Sequence, residues 1–144
     1  MSVTETEMEP EQPSGRQLDK FVAERVMGWT DCVYLPRPDY FAGFPPMSEE
    51  AKRFHVRTVV PRYSESIEAA MLVVEKMWQK GWQMEAANHY TLGTLISQNS
   101  CSWWVRFINQ NNDLNNWSAE GETLSEAICL AALKAMESES AAAG

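Results

Sequence analysis

Cys101, Trp103, Val105 and Phe107 alternate with Ser102, Trp104, Arg106 and Ile108. A period of two sends the first set to one face of a strand and the second to the other. A segment so rich in aromatic and β-branched side chains belongs in the middle of a sheet, on which helices pack. Ahead of it, Trp82, Met84 and Ala86 alternate with Gln83, Glu85 and Ala87 and predict a second strand. Residues 89–100 have strand composition but no clean alternation, and Gly93 interrupts them, so they read as a hairpin loop or an irregular strand. Beyond it, residues 109–116 are dominated by Asn, Asp and Gln, whose side chains compete for backbone hydrogen bonds and predict a loop. Trp117 and Ala119 then suggest a short third strand.

The helical pattern recurs at three places. Leu18, Phe21, Val22, Val26 and Trp29 follow helical spacing with Gly28 placed as a C-terminal cap, predicting a helix over 16–27. Ile67, Ala70, Met71, Val74, Met77 and Trp78 recur at intervals of three and four. With Ser64 as N-cap, Glu65 and Glu68 in the first turn and Gly81 closing, this predicts a helix over 65–80. Thr123 and Glu126 form a capping box ahead of Leu124, Ala127, Ile128, Ala131, Ala132, Ala135 and Met136. Alanines on that stripe allow a close approach to the sheet, and the helix is expected to end near Glu137. Phe54, Val56 and Thr58 alternate with His55, Arg57 and Val59 and predict an edge strand closed by Pro61. Residues 31–46 contain Pro36, Pro38, Pro45 and Pro46, which exclude a helix and predict an irregular loop. That loop also carries Tyr34, Tyr40, Phe41 and Phe44, which must rest either on their own domain or on a partner.

The order of elements fits an α+β fold, an antiparallel sheet of three to four strands layered with about three helices. The 144 residues suffice for one domain, expected over 15–138. Residues 1–14 are acidic and poor in apolar groups, which predicts a disordered tail, and residues 139–144 are expected to fray.

Charge adds one feature. The net charge of −8 is concentrated at the two ends of the chain, whereas Lys52, Arg53, Arg57 and Arg62 lie in a run without acids. An acidic whole disfavours binding to phosphate backbones, which needs many cations on one surface. The segment 65–144 has the element order of a double-stranded-RNA-binding domain, but its own charge of −6 makes nucleic acid an unlikely partner. Cys32, Cys101 and Cys129 are odd in number and scattered, hence not a disulfide framework. Neither a leader pattern nor a membrane-spanning run is visible, so a cytoplasmic location is expected.

Val60, Pro61, Arg62, Tyr63 and Ser64 lead into Ile67, Glu68, Ala69 and Ala70. They are followed by Trp104 to Phe107, Ala119, and the run from Ala127 to Lys134. In order and spacing these residues resemble the phage ABA sandwich domain family, small bacteriophage and prophage proteins. The segment from Leu18 to Trp29 is similar to that family's first helix. The likeness covers most of residues 16–136 and departs at Leu130, where arginine is expected, and in the aromatic loop. It implies a phage origin and an α/β/α arrangement; it implies no reaction.

No nucleophile elbow, zinc-protease motif, phosphate-cradling glycine loop or Cys-x-x-Cys pair is present, so neither a catalytic residue nor a cofactor is expected. His55 and His89 stand in different elements, and with the dispersed cysteines they predict no metal site. Glu120 and Glu122 serve the dipole of the helix that follows them. The basic run points to binding. Arg53, Arg57 and Arg62 beside Tyr63, with Arg106 and Trp104 on one face of the central strand, would suit a nucleotide-like anion through bidentate bonds and stacking. Alternatively the arginines pair with nearby acids. The expected function is therefore non-enzymatic: a phage accessory protein that sequesters a host signalling nucleotide or a defence protein. The other expectation is an oligomeric interaction module joined through Tyr34, Tyr40, Phe41 and Phe44.

Overall fold

The computed structural model describes residues 15–36, 40–91 and 100–143. The expected tail over residues 1–14 and the path of residues 92–99 lie outside them. In chain order the elements are α1 (Gly15–Arg25), β1 (Thr30–Leu35), β2 (Tyr40–Phe44), α2 (Glu49–Lys52), β3 (Thr58–Val59), α3 (Ile67–Gln79), β4 (Trp82–Thr91), β5 (Ser100–Asn109), β6 (Asn112–Gly121) and α4 (Leu124–Ala143). The fold is α+β, and its strands divide between two antiparallel sheets ordered β1-β2-β3 and β4-β5-β6.

β5 is the central strand of the larger sheet. Val105 and Phe107 are fully buried on one face, with Trp103 packed beside them, and Trp104, Arg106 and Ile108 face the other way. α3 and α4 cover the first face, and α1 packs on the far side of α4 and carries the small sheet. α4 is therefore a middle layer. Residues 127–136 are buried all round the helix except at Lys134, the pattern of a helix enclosed on every side rather than one resting on a surface. Its start matches the capping box. Glu126 N donates to Thr123 Oγ1 at 3.1 Å, and Glu126 Oε1 accepts from Glu122 N at 2.9 Å, one residue earlier than the usual reciprocal bond. Thr123→Ala should lower stability by about 1 kcal/mol, measured by urea denaturation. The helix continues to Ala143, beyond the expected end at Glu137. Trp82 Nε1 donates to Glu139 Oε2 at 2.9 Å and Arg25 Nη1 to Glu137 Oε2 at 3.1 Å, ties that hold the last turns against β4 and α1.

Three sequence readings are corrected. The proline-rich stretch 31–46 is a hairpin: β1 and β2 pair with Tyr34 opposite Phe41 and Leu35 opposite Tyr40. Pro36 follows the end of β1, and Pro45 and Pro46 follow β2, so these prolines remove no bond from the ladder. The pairing slips between Thr30 and Val33, where Asp31 takes a positive φ of 53°. Gly43 lies under that slip, because a Cβ there would meet Cys32 Sγ at 2.7 Å. Next, the edge strand over 54–60 shrinks to Thr58–Val59, with Phe54 and Val56 exposed on the approach from α2. Finally, the asparagine-rich stretch is strand. β6 starts at Asn112 and pairs with β5 there and again from Asn116 to Gly121, with a slip in register between, and the turn is only Gln110 and Asn111, with Asn111 N donating to Asn109 Oδ1 at 2.8 Å.

Ser66 caps α3, its side chain accepting from Ala69 N. Ser64, the expected cap, is buried, and its N–H donates instead to Asp19 Oδ1 at 2.7 Å, joining α1 to the turn before α3. Asp19 is buried too, and its Oδ2 has no hydrogen-bond partner among the described residues. Burial pushes the Asp19 carboxyl above its ordinary value of 3.8, opposed by the Ser64 bonds. A raised folded value makes Asp19 favour folding below 3.8 and lose that contribution as pH rises through the folded value. Asp19→Asn keeps an acceptor for Ser64 and removes the charge, so its stability relative to the parent should rise across that window and level off above it. Urea midpoints of the two proteins at acid and neutral pH check this.

Candidate functional site

Three cations of the basic run, Lys52, Arg57 and Arg62, are held by the hairpin or by nearby acids. Lys52 Nζ lies 3.5 Å from Asp31 Oδ2 and 3.0 Å from Glu49 Oε2. Arg57 Nε donates to the Asp31 carbonyl at 2.9 Å, and its guanidinium sits 5.4 Å from the centroid of Phe44. Both side chains thus hold Asp31 where the ladder slips, Lys52 by its carboxylate and Arg57 by its carbonyl. Arg62 pairs with Glu65 at 3.1 Å, and Arg53 caps the short α2. Exposed pairs of this kind add little to stability, but those of Lys52 and Arg62 occupy donors that a phosphate would need, whereas the cap at Arg53 is made by its backbone N–H.

The six residues expected to bind a ligand do not converge. Tyr63 is 2% exposed and belongs to the core. Burial pushes its phenol up to about 12, opposed by a hydrogen bond from the Trp29 side chain. Arg57 stands by the small sheet, whereas Trp104 and Arg106 occupy the face of β5 turned away from α3 and α4.

Only those last two come together. Across the outer face, Ala87, Trp104 and Glu120 form one row and Glu85, Arg106 and Ser118 the next. Arg106 Nη2 donates to Glu85 Oε1 at 2.6 Å, and the guanidinium lies 5.1 Å from the Trp104 ring centroid. Its Nε is buried without a hydrogen-bond partner among the described residues, as happens when a guanidinium is laid flat over an aromatic plane. A hollow of about 440 Å³ opens beside it, lined by Ala87, Asn88, Trp104 and Glu120. One cation between two carboxylates leaves this face without the positive excess that an anion requires. A second cleft, about 520 Å³, runs between β6 and α4 past Trp117, Lys134 and Glu137. There Lys134 Nζ donates to the Ser118 carbonyl at 3.0 Å, and Glu137 is taken by Arg25.

The aromatic residues of the hairpin rest largely on their own domain. The Tyr34 and Phe41 rings meet at a tilt of 54° with centroids 5.2 Å apart, Phe41 packs on the core with Lys20 Nζ 5.7 Å from its ring, and Phe44 lies between Lys52 and Arg57. Tyr40 is half-buried, and Tyr34 is 50% exposed.

The surface that sequence reasoning missed is on α3. Ile67, Ala70, Met71, Val74, Met77 and Trp78 recur at intervals of three and four, but they do not share one buried face. The structure instead buries Ala70, Val73 and Met77, leaves Val74 half-buried, and turns Ile67, Met71, Leu72 and Trp78 outward at 45%, 48%, 48% and 58% exposure. The signal was in the sequence: apolar residues fill every position from Ala69 to Val74, too wide an arc for one face. The outward residues share their side of the helix with Glu68 and Glu75, both exposed.

Among the described residues no group of His, Cys, Asp and Glu could hold a metal ion, and no helix is long and apolar enough to cross a membrane. His55 Nδ1 is 2.8 Å from the Ala51 carbonyl, while the side chains of His89 and Cys101 lie outside the described residues. Cys129 is fully buried and Cys32 half-buried, and burial raises both thiols above their ordinary value, which keeps them protonated at neutral pH.

No curated protein and no solved structure matches the chain. The model of the phage ABA sandwich domain matches residues 20–133, from within α1 into α4, so that both sheets and the helices packed on them fall inside the match; the chain belongs to that phage family.

Proposed function

We propose that this chain is a non-enzymatic bacteriophage accessory protein that acts by binding in the host cytoplasm, and that its target is a protein, such as a component of a host defence system. The observation that carries this reading is the outward face of α3, where Ile67, Met71, Leu72 and Trp78 are all about half exposed. Large apolar groups grouped on one helix face mark protein contacts far better than they mark an anion site. Capture of a signalling nucleotide has less support, because Lys52, Arg57, Arg62 and Arg106 already face protein acceptors.

The test is affinity capture from host cells, comparing the parent with a Met71→Glu, Trp78→Glu double variant, alongside melting curves against linear and cyclic nucleotides. A host protein retained by the parent and lost by the variant is the expected result, with no nucleotide raising the melting temperature. A nucleotide that raises it, with the rise lost on Arg57→Glu and Arg62→Glu, would restore the sequestration reading. The exposed Tyr34 and Val33 favour a second reading, self-association through the hairpin. Light scattering of the eluted protein decides that: a dimer dispersed by Tyr34→Glu supports it and a monomer removes it.

A further inference from the structure

We propose that the edge of α3 formed by Ile67, Met71, Val74 and Trp78 is a docking seam for an amphipathic helix with basic flanks, carried by another protein. The proposal rests on the protein-capture reading above and names the form its target takes.

These four residues are spaced four, three and four apart, the interval that places successive side chains on one seam between two helices. Val74 is half-buried, and the other three project beyond it, so the seam has a floor and three knobs. Its two flanks differ. On one side Ala70 and Met77 are buried in the domain's own core and closed to any partner. On the other, Glu68 and Glu75 follow Ile67 and Val74 by one residue, and both are exposed. Neither makes an ion pair among the described residues. The open flank is therefore acidic along its length, in a chain whose net charge is −8.

That asymmetry selects the occupant. A second copy laid antiparallel on the seam would bring Glu68 and Glu75 against their own counterparts, and like charges at such positions oppose pairing. A parallel copy would need to reach Ala70 and Met77, which the fold encloses. A foreign helix with leucine-like residues on its seam and Lys or Arg on the flank facing Glu68 and Glu75 meets both requirements, as in other helix-in-groove recognition.

The experiment is a titration of the full chain into fluorescently labelled three-heptad peptides, read by anisotropy. One peptide has leucine at both seam positions and lysine on the facing flank, a second has glutamate there, and a third has the composition of the first with its leucines scrambled off the seam. The lysine-flanked peptide is expected to bind saturably, the other two at least about tenfold more weakly. Glu68→Lys with Glu75→Lys should reverse the preference toward the glutamate-flanked peptide, and Met71→Glu with Trp78→Glu should abolish binding of both. All four positions are on the surface, so circular dichroism should find these variants folded. Equal binding of the scrambled peptide, or no reversal, would overturn the proposal. So would a dimer of the parent that Met71→Glu disperses, since the occupant would then be a second copy. If host capture depends on Met71 and Trp78 but no peptide binds, the helical occupant fails while protein capture stands. If no host protein is captured and a nucleotide raises the melting temperature, the underlying reading fails.

Discussion

Replacing Phe107 with alanine is expected to lower folding stability by about 3–5 kcal/mol, seen as a lower urea midpoint with an unchanged slope. Phe107 is fully buried, lies between Met84 and Trp117 in the ladder, and faces the helical layer. Close-packed surroundings collapse only partly around a deleted ring, so a cavity adds to the lost transfer energy. Domains of this size hold about 5–15 kcal/mol in total, and the variant should be close to unfolding at physiological temperature. Ile108→Ala is the comparison. Ile108 is the next residue along the strand, half-buried on the open face, and its truncation should be much milder. Equal losses at the two positions would mean that the helices do not lie where Phe107 points.

The second large effect comes from adding volume. Ala131→Leu in α4 should lower stability by about 1–3 kcal/mol, because Ala131 is fully buried in a helix enclosed on every side. An extra branched side chain has to displace neighbours that already touch. At Lys134, the exposed member of the same stretch, replacement by alanine removes a bond to the Ser118 carbonyl and should change stability by no more than about 1 kcal/mol. Thermal melts of the two variants check the contrast. A leucine at 131 tolerated as well as an alanine at 134 would show α4 to have a free side.

The strand at 101–108 and the capping box at Thr123 were readable because each depends on neighbours within a few residues. What escaped depends on partners far along the chain. Ser64 has the chemistry of a helix cap, yet Asp19 of α1 takes its N–H, and the capping moves to Ser66. Asn111, Asn112, Asn115 and Asn116 suggest a loop by local preference, but pairing of β6 with β5 at Asn112 and from Asn116 to Gly121 overrides it. The prolines of 31–46 exclude a helix and so predict an irregular loop, yet Pro36, Pro45 and Pro46 stand beyond the strand ends, where a hairpin tolerates them. The candidate site failed for the same reason. Four positive residues with no acid among them are visible in any sequence, whereas the turned Asp31, whose carboxylate and carbonyl engage Lys52 and Arg57, is not. On α3 apolar residues occur on two sides, and the pattern alone did not say which side the core would take.

α4 is synthesised after all the elements that it separates. Until its residues emerge from the ribosome, the β5 side chains Val105 and Phe107 have only α3 to close against, and the α1 side chains Leu18 and Val22 only the small sheet. The layers on either side of α4 are therefore expected to keep part of their apolar surface open until that helix has emerged and docks between them.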